Sequence, residues 1–175
     1  MFYRITKYNP KFRDEYGGYT VDEWIDYSCI GYTYNGKVFT REEYEIVENK
    51  YVTVITTAFR SSGVTTLFIN QLTKHYYNPK EPNSDEDAPR CPDNIVTIIE
   101  RGWIKTVEDL EEISKAILLG YIWAELTSPY YILNITFGYD YYMYVETMDE
   151  KVIQAIIQNL PEGMYIDGID DYKMK

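Results

Sequence analysis

A single α+β domain, with a largely antiparallel sheet and about three amphipathic helices, follows from three features of this 175-residue chain. Three segments open on a helix-start signal and continue with apolar residues spaced three or four apart. The stretch Tyr121 to Thr147 reads instead as three strands, joined at Ser128-Pro129 and at Gly138-Tyr139-Asp140. Connections that short force neighbouring strands to run antiparallel, because a parallel return needs about a dozen residues or more. The length suits one domain over residues 1–175, and a 45% hydrophobic fraction supplies a core.

In chain order, Phe2 to Tyr8 alternates and predicts a first strand. Ile30 to Tyr34 and Lys37 to Phe39 flank Asn35-Gly36, a pair that tolerates the positive φ of a tight hairpin turn. Thr40 with Glu43 forms a capping box, and Tyr44, Val47, Tyr51, Ile55 and Phe59 then share one face. This predicts a helix from about Arg41 to about Arg60, ending before Gly63. Thr65 to Leu72 is a further strand candidate. A second helix starts at Thr106 with Asp109, buries Leu110, Ile113 and Ile117, and closes at Gly120. A third starts at Thr147 with Glu150, carries Val152, Ile153, Ile156, Ile157 and Leu160, and stops at Pro161. Met164 to Ile169 completes the set as a last strand. Between the strand candidate and the second helix, Asn78 to Asn94 places Pro79, Pro82, Pro89 and Pro92 around Asp85, Glu86 and Asp87, which predicts a Pro-rich acidic surface loop over 78–94.

Charge narrows the classes of partner. The chain carries 28 acidic side chains against 17 basic ones, a formal net charge of −11. Such a field repels nucleic acid and anionic membrane, so neither direct nucleic-acid binding nor membrane binding is expected. A protein partner with a basic surface fits it, as does plain solubility. The charge is uneven: the first 80 residues hold ten bases and nine acids, whereas residues 81–112 and 138–171 each sum to −7. No segment reaches the ~20 apolar residues that span a bilayer, and Met1 to Glu15 lacks the apolar run of a signal peptide, so a cytoplasmic protein is expected. Cys29 and Cys91 show no metal or redox spacing.

Catalytic vocabulary is sparse. His75 is the single histidine and has no Ser or Cys at a recognised nucleophile spacing; a solvated or structural histidine is the plainer reading. There is no P-loop, dinucleotide fingerprint, HExxH or zinc-ligand set, and neither cofactor nor metal is expected. Asp167, Asp170 and Asp171 cluster near the C-terminus without the alternating ligands and glycine of a calcium loop, so a solvated charge cluster is expected. Carboxylates could still serve a hydrolase, with Asp140, Glu125 and Glu146 as its acids.

Twenty tyrosines are the most unusual feature. Tyrosine offers a large ring with a polar tip and serves cores and contact surfaces equally. Alternation along the meander assigns its faces. One face carries Ile122, Ala124 and Leu126, then Tyr131, Leu133, Ile135 and Phe137, then Tyr141, Met143 and Val145, and reads as core. The other carries Tyr121, Trp123, Glu125 and Thr127, then Tyr130, Ile132, Asn134 and Thr136, then Asp140, Tyr142, Tyr144 and Glu146. That mixture suits a contact surface, unless helices cover it too. A second aromatic and acidic group, Tyr16, Tyr19, Asp22, Glu23, Trp24, Asp26 and Tyr27, follows Gly17-Gly18; it reads as a lid folded onto the core by Trp24, or else as a recognition edge.

Three strings carry a resemblance: Tyr3-Arg4-Ile5-Thr6-Lys7-Tyr8-Asn9-Pro10, Asp22-Glu23-Trp24, and Phe137-Gly138-Tyr139-Asp140-Tyr141-Tyr142-Met143-Tyr144. Together they resemble a group of small, mostly uncharacterised bacterial cytosolic proteins that includes immunity proteins of polymorphic toxin systems. The likeness covers the two ends of the chain better than the middle, and the Pro-rich acidic loop is not part of it. It implies an acidic binding protein that neutralises a toxin enzyme by occluding a basic site. The resemblance supplies no site residues; the strand face and the acidic loop do: Tyr142 and Tyr144 would be anchors, Tyr121 and Trp123 would join the contact, and Asp140, Glu146 and Asp85, Glu86 and Asp87 would oppose basic side chains. A phage-encoded inhibitor of a bacterial defence nuclease would use the same acidic surface. A carboxylate-dependent hydrolase, or a subunit that self-associates through the aromatic face, are the alternatives from other classes.

Overall fold

The computed structural model describes residues 1–74, 94–138 and 141–168. The expected Pro-rich loop lies almost entirely outside these residues, as do His75, Cys91, Asp140, Asp170 and Asp171. The described elements are β1 (Phe2–Thr6), β2 (Thr33–Tyr34), β3 (Lys37–Val38), α1 (Arg41–Ser62), β4 (Leu67–Lys74), α2 (Ile95–Arg101), β5 (Trp103–Ile104), α3 (Val107–Leu118), β6 (Ile122–Thr127), β7 (Leu133–Phe137), β8 (Met143–Thr147), α4 (Glu150–Gln158) and β9 (Tyr165–Gly168). Short 3-10 turns cover Pro10–Phe12, Tyr27–Cys29 and Pro129–Tyr131. The class is α+β, as expected.

Seven strands form one sheet in the order β5-β4-β6-β7-β8-β1-β9, and each pairing is antiparallel. The meander β6-β7-β8 forms its centre. β1 then inserts between β8 and β9, so both ends of the described chain meet at one edge. The Asn35-Gly36 hairpin forms with φ of 50° and 79°, but β2 and β3 pair with each other as a separate two-stranded sheet.

Local chemistry explains most boundaries. Thr40 and Glu43 exchange both capping bonds, and α1 ends at Gly63 in the left-handed region. Thr106 accepts from Asp109 N as expected, while the Asp109 carboxylate turns to Arg101 at 2.5 Å. The start of α4 corrects the expectation: Asp149, and not Thr147, caps it, accepting from Lys151 N. Thr147 is occupied elsewhere, donating to Ile132 O at 2.8 Å and accepting from Asp149 N at 3.1 Å. The short helix α2 was not anticipated; it buries Ile95 and Ile98, with Ile99 partly buried against the core, before Gly102 turns left-handed.

The helices lie on one side of the sheet. α1 packs between α3 and α4, with contacts from α1 to β7, α3 to β6 and α4 to β8. Beneath them sit Ile122, Ala124, Leu126, Leu133, Ile135, Phe137, Met143 and Val145, all buried. Tyr44, Tyr51 and Tyr141 join this core as hydrogen-bonded tyrosines. Tyr51 donates to Tyr141 O and accepts from Lys7 N, Tyr44 donates to Glu48, and Tyr141 donates to Leu118 O. Burial pushes all three hydroxyls far up from the usual phenol value, so they stay protonated donors.

Glu48 is the one buried acid among the described residues, 7% exposed, and burial raises its carboxyl against the opposing pull of the Tyr44 hydroxyl and Lys115. A raised folded-state value means that the buried carboxylate costs stability once ionised. The cost is absent below the ordinary value of 4.5 and grows as pH climbs through the folded value. Glu48→Gln keeps an acceptor for Tyr44 and removes the charge. The variant is expected to unfold at higher temperature than the parent at pH 7, with the gap closing as pH falls to about 4; thermal melts across that range measure it.

Candidate functional site

The face of the sheet opposite the helices is built from alternate residues of the same strands. The register carries one row from Trp103 through Phe68, Thr127, Asn134 and Glu146 to Phe2. A second row brings together Asn70 with Glu125, and Thr136 with Tyr144, Arg4 and Asp167. Among the described residues no helix packs here. Trp123, Glu125, Asn134, Thr136 and Tyr144 are half-buried, Glu146 is exposed and Phe68 is 42% exposed. The alternative of a helix-covered face therefore does not hold for the described helices.

The rings on this face are oriented. Trp123 donates its indole N–H to Phe137 O at 3.0 Å, and Tyr144 stacks on Phe2 with centroids 5.3 Å apart and planes 4° from parallel. Gly138 makes room for that ring: a Cβ there would stand 3.0 Å from Tyr144 Cε2. Trp103 sits between two cations, Arg101 at 4.3 Å and Lys105 at 4.6 Å from its centroid.

Tyr142 has a different surrounding from its neighbour. Its ring faces the guanidinium carbons of Arg4 at 5.3 Å and Arg13 at 5.7 Å and packs on Tyr8 at 5.9 Å. Both arginines reach the same oxygen of Asp167, at 3.0 and 2.9 Å. Asp167, expected in a solvated cluster, is thus held in a twin ion pair. This knot ties Arg13, in the segment after β1, to β9. Further along that segment Ile25 is 1% exposed, while Trp24 stays 39% exposed with its ring edge-on to Tyr8 at 6.4 Å.

Tyr121 does not lie on the open face. Gly120, with φ of 71°, ends the α3 turn, and Tyr121 N donates to Ala116 O, so this residue closes the helix before the strand alternation begins. Its ring is buried in the core at 9% exposure. Tyr131, expected in the core, is 68% exposed, and Tyr130 is 91% exposed. Both belong to the β6–β7 turn, with φ of 58° and 55° in the left-handed region that bulky residues avoid. Pro129 is the signal that could have shown this: a turn entered at proline needs the following residues to reverse the chain, so they cannot also start a strand.

Ser128 holds that turn in place. Its N–H donates to Leu133 O, its hydroxyl accepts from Leu133 N, and its carbonyl accepts from Tyr131 N, all within 3.1 Å. Thr147 adds the bond to Ile132 O. Next to the tip stand Met148, 83% exposed, and Met1, 46% exposed, the latter paired with Thr147 through two backbone bonds. Tyr130, Tyr131, Ile132, Met148 and Met1 form an apolar prow at the end of the open face. Isolated apolar residues on a surface are ordinary; several gathered on a strained, pinned turn are not.

Of the residues expected at the site, Trp123, Tyr144 and Glu146 share the open face and Tyr142 borders it. Asp140, Asp85, Glu86 and Asp87 fall outside the described residues. Glu125 and Glu146 do not converge: one strand separates theirs, and the register offsets them by two residues, which puts their Cα atoms roughly 12 Å apart. Among the described residues no group of three or more His, Cys, Asp or Glu could hold a metal ion, and no helix is long and apolar enough to cross a membrane.

The fold and surface define a helix-backed antiparallel sheet with one aromatic, part-open face and a tyrosine prow. No protein-family model matches the chain, and no curated protein and no solved structure shows significant similarity to it.

Proposed function

We propose that this chain is a binding protein of the immunity class, which neutralises a toxic enzyme in the bacterial cytosol by occluding a basic site. One observation carries the reading: two adjacent tyrosines, held at positive φ and exposed, stand at the end of an aromatic sheet face on which no described helix packs. Tyrosine is a frequent anchor of binding energy. A turn already fixed by Ser128 pays little ordering entropy when it docks. The net charge of −11 favours a basic partner and speeds its capture. In this reading Tyr130 and Tyr131 insert, Trp123, Tyr144 and Phe68 seal the contact, and Glu146 meets basic side chains. Asp140 and Asp85, Glu86 and Asp87 are further candidates for that electrostatic role.

Affinity capture from the native host is expected to recover a stoichiometric partner with a basic surface. Retention should fall steeply as ionic strength rises from about 0.1 to 0.5 M, where the screening length drops below the span of the interface. The partner expressed alone should arrest growth, and co-expression of this chain should restore it. A harmless partner, or binding indifferent to salt and to Tyr144→Ala with Glu146→Lys, would overturn the reading.

A further inference from the structure

A pocket of about 290 Å³ opens between residues 23–25, the β2–β3 hairpin and the first turns of α1. It shares no residue with the open sheet face or the prow. Ile25 and Phe39, both buried, line it with Val47, and the half-exposed Trp24 ring also lines it. Four charges line it as well: Lys7 pairs with Glu23 at 3.4 Å, and Lys37 pairs with Glu43. The hairpin wall is held in place by Phe39 N to Tyr32 O at 2.8 Å and by Asn35 Nδ2 to Asp22 O at 3.3 Å.

The chemistry of such a pocket selects its ligand. Two cations and two anions sum to zero, so an anionic ligand gains at the lysines what it loses at the carboxylates, and a cationic one the reverse. A dipolar ligand gains on both. The apolar lining adds a requirement for a hydrophobic body, and the volume sits at the small end of the range for bound metabolites. We propose that this pocket binds a free α-amino acid with a large apolar or aromatic side chain, its carboxylate toward Lys7 and Lys37 and its ammonium toward Glu23 and Glu43. The Lys7 side chain is only 17% exposed, and burial pulls its ammonium below the ordinary lysine value despite Glu23. An ammonium so short of water gains from a second carboxylate. The proposal is independent of the partner-binding reading.

Titration of the full-length ¹⁵N-labelled protein with L-tryptophan, L-phenylalanine and L-leucine tests it. Saturable shifts are expected at the Trp24 indole N–H and at the Val38 and Val47 amides, with a dissociation constant of about 1 mM or tighter. N-acetyl-L-tryptophan and L-tryptophanamide, each lacking one charge, should bind about tenfold more weakly or worse. Lys7→Met should lose the response. Val38→Trp, at a half-exposed strand position that tolerates an aromatic ring, should block the mouth while the protein stays folded by circular dichroism. No saturable shift up to about 10 mM, equal binding of either derivative, or an undiminished response in the folded Val38→Trp variant overturns the proposal.

Discussion

Replacing Tyr130 and Tyr131 together by glycine is expected to stabilise the fold and to abolish partner binding. Both residues sit at positive φ, at 58° and 55°, where an L side chain costs about 1–2 kcal/mol. Glycine removes that cost and gives back about 0.5–1 kcal/mol through its freer unfolded chain. The net gain should be roughly 0.5–1 kcal/mol per site, read as a higher urea midpoint with unchanged slope. Little burial is lost in exchange at Tyr130, 91% exposed, where the gain should concentrate; Tyr131, 68% exposed, gives up more contact and should gain less. Binding to the captured partner should weaken by about a hundredfold or more, the loss of two anchors of about 2 kcal/mol each less their non-additivity. Stability and binding thus move in opposite directions, which a merely structural turn would not produce. Affinity within about threefold of the parent would remove the prow from the interface.

Tyr51→Ala is expected to give the largest stability loss among the tyrosine substitutions. The ring is fully buried, 6.0 Å from Tyr141 and edge-on to it. Its hydroxyl donates to Tyr141 O at 2.6 Å and accepts from Lys7 N at 3.1 Å, so one side chain on α1 links the end of β1 to the entry of β8. Truncation opens a cavity worth about 3–5 kcal/mol and leaves two backbone groups without this partner at about 1–3 kcal/mol each. That sum rivals the whole stability of an ordinary domain, about 5–15 kcal/mol. Tyr51→Phe separates the terms: it keeps the ring and loses both bonds, and should cost about 2–6 kcal/mol. Chemical denaturation of the pair measures both. A Tyr51→Ala variant within about 1 kcal/mol of the parent would show that the hydroxyl bridges are dispensable and that the site collapses around the gap.

Legibility differed between core and site. The buried residues of β6, β7 and β8 follow from alternation, because a period of two is imposed by the pleat itself. The buried tyrosines of α1 follow from helical spacing in the same way. Where chain reversal competes with alternation, the pattern fails: Tyr121 serves the end of α3, and Tyr130 and Tyr131 serve a turn. The cap of α4 fails for a related reason. The Thr147 hydroxyl is fixed by donating to Ile132 O on the β6–β7 connection and accepts from Asp149 N, ahead of the helix, so Asp149 caps the first turn.

Residue order by itself determined the α+β class, the antiparallel meander, the limits of α1 and which strand residues face the helices, because each depends on neighbours within one or two turns of chain. Tertiary structure alone decided that the four described helices share one side of the sheet, that β1 lies between β8 and β9, and that Arg4 and Arg13 converge on Asp167 from 163 and 154 residues away. Those outcomes rest on contacts between segments far apart in sequence, whose energies no local pattern contains.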